Sequence, residues 1–222
     1  MFMETKHRKL KVWAEIIPVF VYDCNRPFFE TLVPTIDTVR YGYLFEKLLG
    51  SGKPVMFTGG TGVGKTCIAA EILNRMAKTG YYIPIILNFS AQTSSFRTQE
   101  VIELRLDKRP RKAIGAPLGK KVIIFIDDVN MPRLDMYGAQ PTIELLRQFL
   151  DFGGLYDRDK LYWKDILDVV LSCACAPPGG GRNPLTARFV RHFAMFYISA
   201  PNSDAMKTIF KAILKGHMED FV

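Results

Sequence analysis

Short apolar runs alternate with stretches of helically spaced apolar residues along this chain of 222 residues. The runs predict strands, and several are continuous rather than alternating, which is typical of strands covered by helices on both faces. They lie at residues 54–58, 83–89, 122–126, 169–175 and 194–198. Helices are predicted at residues 35–49, 68–76, 98–106 and 141–150. This alternation predicts an α/β fold with a mainly parallel five-stranded sheet flanked by helices.

The segments between these elements are predicted from their turn residues and charges. Residues 108–121 are rich in basic residues, Gly and Pro and are expected to form a loop, whereas residues 155–163 suit a small hairpin. Pro141 fits the first position of its helix, which Gly153 and Gly154 should close.

A division into three parts follows from where these patterns begin and end. Residues 1–33 are expected to be a lead-in of mostly extended chain, because prolines interrupt its apolar positions. Residues 34–200 contain the alternating pattern and form the main domain. In residues 201–222, Asn202 or Ser203 can cap a helix whose apolar stripe has little further chain to cover it. We therefore expect the truncated start of a helical domain there, with a stripe of Met206, Ile209, Phe210, Ile213 and Leu214.

Composition narrows the class of protein further. The hydrophobic share of 48% and the charged share of 23% are ordinary for a globular domain. No run approaches the roughly 18 apolar residues of a membrane span, and no secretory signal is visible, so we expect no membrane partner. The net charge of +8 is spread along the chain, with its densest cluster at residues 108–112, and we expect no direct nucleic-acid binding. Cys173 and Cys175 are expected to be buried free thiols.

The stretch Gly59–Thr66 reads Gly-Gly-Thr-Gly-Val-Gly-Lys-Thr and matches the phosphate-binding loop pattern. Its glycines let the backbone approach an anion closely, and successive N–H groups can form a nest for a phosphate. Lys65 adds a cation at the β- and γ-phosphates, and the Thr66 hydroxyl can bind Mg²⁺. A predicted strand precedes the loop and a predicted helix follows it, as the pattern requires. All eight residues are therefore candidates for nucleotide binding: Gly59, Gly60, Thr61, Gly62, Val63, Gly64, Lys65 and Thr66.

Two carboxylates follow the apolar strand at residues 122–126. A buried strand would place Asp127 beside the phosphate loop, where it can hold Mg²⁺ or its waters. Asp128 is positioned to orient or deprotonate an attacking water. The alternative is that the pair simply begins a loop.

Four further polar residues are candidates for catalysis. Asn88 ends the second strand, from which its amide could bond to Asp128 or a water, although it could equally be an ordinary loop residue. Arg182, Arg188 and Arg191 surround the last strand. An arginine supplied to a neighbouring site would stabilise transition-state charge, and the alternative is a surface arginine.

The phosphate loop and the strand 123–128 look like the Walker A and Walker B motifs of an AAA+ ATPase module. Further segments resemble, more specifically, the third AAA+ module of axonemal dynein heavy chains, and the resemblance covers nearly the whole chain. These segments are Val33–Arg40, Phe57–Thr66, Ile126–Pro132, Tyr137–Pro141, Pro177–Pro184 and Arg188–Phe193.

That resemblance implies roles for particular residues. The adenine of ATP or ADP would lie under Val33, Pro34, Thr35 and Ile36. Asn88 would restrain the catalytic carboxylate, and Arg188 or Arg191 would be an arginine finger for the nucleotide of the preceding module. ATP or ADP and Mg²⁺ would be the cofactors, with Thr66 and Asp127 as metal ligands.

The resemblance also implies a larger assembly. Its parent would be a minus-end-directed microtubule motor of cilia and flagella, in the cytoplasm and in the cytoskeleton of the axoneme. Neighbouring AAA+ modules of the same heavy chain would be direct partners. Intermediate chains, light chains and microtubules would be reached only through the parent complex. The third module would gate the motor through its nucleotide state.

Two departures from the family pattern favour slow hydrolysis. Asp127-Asp128 stands where Asp-Glu is usual, and Cys175-Ala176-Pro177 offers no polar side chain at the sensor position. A displacement of about 1 Å at a catalytic group can cost ~10²-fold in rate. One alternative is a structural ring module whose nucleotide does not exchange. Another is a free-standing P-loop ATPase that nucleic acid stimulates.

Overall fold

A computed structural model describes residues 2–4, 9–24 and 31–219. Its helices are α1 (Ile36–Gly50), α2 (Lys65–Ala77), α3 (Ser95–Glu103), α4 (Pro141–Phe152), α5 (Ala187–Val190) and α6 (Ser203–Glu219), with a 3-10 helix at Trp13–Ile16. Its strands are β1 (Phe2–Glu4), β2 (Lys9–Lys11), β3 (Val55–Thr58), β4 (Tyr82–Asn88), β5 (Asp107–Arg109), β6 (Ala113–Gly115), β7 (Lys121–Asp127), β8 (Gly154–Tyr156), β9 (Trp163–Leu167), β10 (Val169–Cys175) and β11 (Ala194–Tyr197).

The central sheet has five parallel strands in the order β11-β3-β10-β7-β4. This confirms the predicted α/β fold. Strands β7 and β10 are almost wholly buried, as their continuous apolar sequences predict. The ends of neighbouring strands are in register, with Thr58 opposite Cys175 and Asn88 opposite Asp127. The carboxyl ends of the five strands therefore share one edge, the usual ligand edge of such a sheet.

Two apolar clusters cover the faces of this sheet. On one face, α1 and α2 bury Phe45 against Phe57, with ring centroids 4.8 Å apart, and Phe125 meets Phe45 edge-on. On the other face, α3 and α4 pack over β4 and β7, where Ile124 and Leu146 are each 1% exposed. Both clusters hold the edge where the strands end, so the candidate site has a rigid support.

The ends of α1 and α4 lie where the sequence signals place them, whereas α2 and α3 each begin three residues earlier than predicted, at Lys65 and Ser95. Thr35 caps α1 by accepting a hydrogen bond from the Thr38 backbone N–H, and Gly153 closes α4 at φ 70°. The third helix was predicted from residue 98 but begins at Ser95, because the Ser94 side chain caps it through the Arg97 N–H at 3.2 Å.

The prediction of a loop at residues 108–121 is wrong in part. Strands β5 and β6 pair there, and with β9 and β8 they form a second, four-stranded sheet in the order β5-β6-β9-β8. Each has three residues, too few for a period to show in sequence. Gly115 allows the close pairing, since a Cβ there would lie 2.5 Å from the Leu167 carbonyl oxygen. The hairpin predicted at 155–163 is confirmed as β8 and β9.

A buried lysine ties this second sheet to α3. Lys164 is 6% exposed and its Nζ donates to Glu103 Oε2 at 2.5 Å and Asp157 Oδ2 at 3.2 Å. Burial opposes its charge, but these two carboxylates raise the pKa of Lys164 overall. The backbone N–H of Lys160 is the main cause of a lowered pKa for Asp157. The ammonium is therefore a structural charge.

The lead-in and the last helix touch each other. Residues 17–23 have no regular structure. Tyr22 packs closely on α6, since a Cβ added at Gly216 would lie only 2.3 Å from the Cβ of Tyr22. Residues 25–30, including Pro27, lie outside the described residues. The Asn202 side chain caps α6 through the Ala205 N–H at 2.8 Å, as predicted. Of the predicted stripe, Met206, Phe210 and Leu214 are exposed, whereas Ile209 and Ile213 are partly buried.

Within the described residues, no helix has the length and apolar character needed to cross a bilayer.

Candidate nucleotide-binding site

The stretch Gly59–Thr66 joins β3 to α2, so the strand, loop and helix arrangement predicted for it is confirmed. Its backbone needs glycine: φ is 155° at Gly59, 79° at Gly62 and 90° at Gly64, values that L-residues rarely adopt. At Gly59 the space is also closed, since a Cβ would lie 2.3 Å from the Ile198 carbonyl oxygen. The end of β11 therefore fixes the start of the loop.

Lys65 lies inside the curve of this loop. It is 8% exposed, and its Nζ donates to the carbonyl oxygens of Gly59 at 3.0 Å and Gly60 at 2.7 Å. Among the described residues, no carboxylate forms an ion pair with it. A buried ammonium held only by backbone carbonyls is available to an incoming anion.

Thr66 and Asp127 meet across the edge of the sheet. The Thr66 Oγ1 donates to Asp127 Oδ2 at 2.5 Å, and Asp127 Oδ1 accepts from the Asp128 N–H at 3.0 Å. A hydroxyl and a carboxylate oxygen beside the lysine are the oxygen ligands that a hard cation such as Mg²⁺ takes. The structure thus brings Asp127 to Lys65 and Thr66, which lie about 60 residues earlier in the sequence.

Asp128 is paired with an arginine of the same chain. Its backbone is left-handed, with φ 50°, and its Oδ1 accepts from Arg182 Nη2 at 3.3 Å and Nε at 3.4 Å. The side chains of Asp128 and Arg182 are 39% and 21% exposed. The sequence singled out Arg182 only as one of three arginines near the last strand, and nothing in the sequence indicates this pairing.

Two asparagines join the loop that follows β7 to the loop that follows β10. Asn130 is 2% exposed, and its Nδ2 donates to the carbonyl oxygens of Ala176 at 2.8 Å and Asn183 at 3.2 Å. In return, the Asn183 N–H donates to the Asn130 carbonyl at 2.9 Å and its Nδ2 donates to Pro132 at 2.8 Å. We call this set of four contacts the asparagine clasp. It fixes the backbone that carries Asp128 relative to the backbone that carries Arg182.

Both thiols of β10 are buried beneath this site, as predicted. Burial raises the pKa of Cys173 well above its usual range. Burial also raises the pKa of Cys175, although its hydrogen bond with Thr58 and the charge of Lys65 act in the opposite direction, whereas Asp128 adds to the rise. Both thiols are therefore neutral, and neither supplies a polar side chain of the kind expected at a sensor position.

Asn88 lies beside Asp127 in the register of β4 and β7 and is exposed. It is therefore at the ligand edge, as predicted. Asp128, the carboxylate that Asn88 is expected to restrain, accepts hydrogen bonds from Arg182. A role for Asn88 in hydrolysis stays a prediction.

Arg188 and Arg191 differ in their surroundings. Arg191 Nη2 donates to Asp151 Oδ1 at 2.7 Å, and His192 Nε2 lies 2.8 Å from the same oxygen. These contacts, with the hydrogen bond from Arg191 first, lower the pKa of Asp151. Arg188 is exposed on α5, and no ion pair to it occurs among the described residues. Of the two, Arg188 is thus the one whose guanidinium forms no ion pair within the part of the chain that the structure describes.

The four residues predicted to cover an adenine lie at the start of α1. Val33 is buried, whereas Ile36 is 48% exposed. Pro34 borders a cavity of about 390 Å³ that Ile72 of α2 also lines. The segment therefore shares a cavity with the helix that follows the phosphate loop. An adenine contact stays a prediction for Val33, Pro34, Thr35 and Ile36.

Comparison with known proteins supports the interpretation of this site. Residues 20–201 match the family described as the P-loop containing dynein motor region. The chain is 57% identical over 219 residues to dynein axonemal heavy chain 6 of Homo sapiens, covering 99% of this chain and 5% of that protein. It is 45% identical to dynein axonemal heavy chain 12 of Rattus norvegicus, covering 85% of this chain and 6% of that protein. It is 39% identical to the dynein-1-alpha heavy chain of the flagellar inner arm I1 complex of Chlamydomonas reinhardtii, covering 97% and 5%.

The chain thus spans about a twentieth of the length of the relatives it matches. Over that span the match includes the phosphate loop, the strand that carries Asp127 and the arginines after β10. The chain belongs to the axonemal dynein heavy chain family, and what it contains of such a heavy chain is a P-loop dynein motor region.

Proposed function

We propose that this chain is an AAA+ module that binds Mg-ATP and Mg-ADP and regulates its motor through the nucleotide it holds. The observation that carries the proposal is the meeting of Lys65, Thr66 and Asp127 at the ligand edge of the sheet. Lys65 would bind the β- and γ-phosphates, the loop N–H groups would bind the β-phosphate, and Thr66 with Asp127 would hold Mg²⁺. When bound, Mg²⁺ would neutralise the charge of the phosphates.

The same site favours slow hydrolysis. Asp128, the candidate for activating water, is one methylene shorter than the usual Glu and is engaged by Arg182. Ala176 follows β10 without a polar side chain. A base displaced by about 1 Å can lose ~10²-fold in rate. Hydrolysis would therefore be slower here than in a module with the usual Asp-Glu pair.

The position of this module within a motor is also a proposal. The segments that resemble known modules favour the third AAA+ module of an axonemal heavy chain, with neighbouring modules of the same chain as direct partners. Arg188, which is exposed and outside any ion pair of the described residues, would act on the nucleotide of the preceding module. Intermediate chains, light chains and microtubules would be reached through the parent complex in the ciliary axoneme.

Calorimetric titration of Mg-ATP and Mg-ADP tests nucleotide binding directly. Lys65→Ala should abolish micromolar binding, whereas Lys78→Ala, which removes an exposed lysine at the far end of α2, should leave it unchanged. Circular dichroism would first show that all three proteins are folded. A folded chain that binds neither nucleotide would refute the proposal.

A nucleotide-exchange experiment separates the structural alternative from the regulatory one. The nucleotide that copurifies with the chain would be extracted and identified by chromatography, and its exchange with added ATP would be measured. If the module is purely structural, the bound nucleotide would be ADP and it would not exchange. Exchange with added ATP within minutes would favour regulation. Turnover that rises on addition of nucleic acid would instead support the free-standing ATPase.

A further inference from the structure

We propose that Arg182 is a binding residue for the γ-phosphate, and that it exchanges Asp128 for that phosphate when ATP replaces ADP. The inference rests on the proposed nucleotide site and adds to it a second cation, from the loop after β10, that distinguishes ATP from ADP. Arg182 would then supply the polar contact to the nucleotide that Cys175 and Ala176, at the end of β10, do not offer.

The position of Arg182 carries the first step. Its guanidinium bonds to Asp128, the residue next to Asp127, whose carboxylate accepts from Thr66 of the phosphate loop. The Val129 N–H, just after Asp128, donates to the Ala174 carbonyl oxygen, and Cys175 lies opposite Thr58, so the ends of β7, β10 and β3 meet beside the phosphate loop. Arg182 therefore lies at the same edge of the sheet as the phosphate loop, beside Asp128. In the proposed site, a γ-phosphate held by Lys65 would extend towards Arg182, whereas ADP has no group there.

The weakness of the present pairing carries the second step. The two contacts, at 3.3 and 3.4 Å, are long for charged hydrogen bonds, and both side chains are partly exposed. Exposed ion pairs of this kind contribute little. A phosphate offers more charge and a geometry that fits the two-pronged guanidinium. The exchange from carboxylate to phosphate is therefore favourable once a γ-phosphate is present.

The backbone around Arg182 allows this exchange without moving the fold. A bridge between Gly179 and Arg182 forms a tight turn, and the asparagine clasp fixes the next residue, Asn183. Only the long side chain has to rotate. The three glycines of the turn have φ values of 121°, 58° and 85°, and added Cβ atoms there would meet nothing within 4 Å. The glycines therefore serve the turn, which holds the arginine over Asp128.

The test is a comparison of affinities in the whole 222-residue chain. A non-hydrolysable ATP analogue and ADP, each with Mg²⁺, would be titrated into the wild type, Arg182→Gln and Arg133→Gln. Arg133 is an exposed arginine in the neighbouring loop and serves as the matched control. Arg182→Gln should weaken binding of the ATP analogue about tenfold, as expected for loss of one charged contact, and leave ADP within about twofold. Arg182→Lys should recover part of the preference, because an ammonium still binds phosphate as a point charge.

The outcomes separate this inference from the proposed function. A wild type that binds neither nucleotide would overturn both. If the wild type binds both nucleotides, three results for Arg182→Gln would overturn the inference alone: equal changes in the two affinities, a higher affinity for the ATP analogue, or no change in either affinity. An equal loss would indicate a purely structural role for Arg182, and thermal unfolding of the variant would show it independently.

Discussion

Replacing Asn130 by alanine should destabilise the chain by about 2 to 4 kcal/mol. The Nδ2 of Asn130 is a donor to the Ala176 carbonyl, which is 2.8 Å away in a residue only 4% exposed, and to the Asn183 carbonyl at 3.2 Å. Leaving a buried acceptor unsatisfied costs about 1–3 kcal/mol, and loss of an ordinary hydrogen bond costs about 0.5–1.5 kcal/mol. A small gain offsets part of this, since Asn130 Oδ1 is buried without a hydrogen-bond partner in the described part of the chain.

Urea unfolding followed by tryptophan fluorescence would measure the loss, with the buried Trp13 as one reporter. The matched control is Asn74→Ala, which removes an exposed asparagine from α2 and should change stability by less than about 0.5 kcal/mol. A loss for Asn130→Ala no larger than that of the control would refute the reasoning, because it would mean that water satisfies both carbonyls at no cost.

Two further results are expected from the same unfolding assay. Gly59→Ala should lower the free energy of unfolding by about 1–3 kcal/mol more than Gly62→Ala does. Both positions have a positive φ, but only at Gly59 would an added Cβ meet backbone, the Ile198 carbonyl oxygen at 2.3 Å. Equal losses of stability in the two variants would contradict this. Asp157 has a lowered pKa in the folded chain, so it stabilises the fold above its unfolded pKa of about 4 and loses that effect as pH falls through its folded value. Asp157→Asn should therefore flatten the fall in unfolding free energy between about pH 5 and 2, and an unchanged slope would show that other carboxylates account for it.

The central sheet could be predicted from the sequence because its signals are long and local. Residues 122–126 and 169–175 are continuous apolar runs, and both are strands whose residues are almost all buried. The phosphate loop is equally local, since glycine, lysine and threonine at fixed spacing specify both the turn and the chemistry. Asp127 was placed beside it because parallel strands end at one edge, and the contact between Thr66 and Asp127 agrees with that reasoning.

What the sequence did not predict depends on pairs that are far apart in the chain. Strands β5 and β6 are too short to show a period, and β6 is stabilised by β9, about 50 residues later. Arg182 pairs with a carboxylate 54 residues away, and Arg191 with one 40 residues away. Neither choice of partner has a local signal, because any arginine near a sheet edge has several carboxylates within reach before the fold is known.

The pairing of Arg191 bears on how one module would act on another. Asp151 accepts from Arg191 and Arg147, and His192 Nε2 lies 2.8 Å from it. Moving Arg191 to a neighbour's nucleotide would therefore leave a carboxylate that is 11% exposed with one arginine in place of two. Arg188 needs no such exchange, since it is exposed on α5 and forms no ion pair within the described residues. The two arginines thus suit different tasks. Arg191 holds the end of α5 against α4 through Asp151, and Arg188 is an exposed residue of the helix that is held in this way. An arginine that must reach another module gains from a rigid base, because less conformational entropy is then lost on contact.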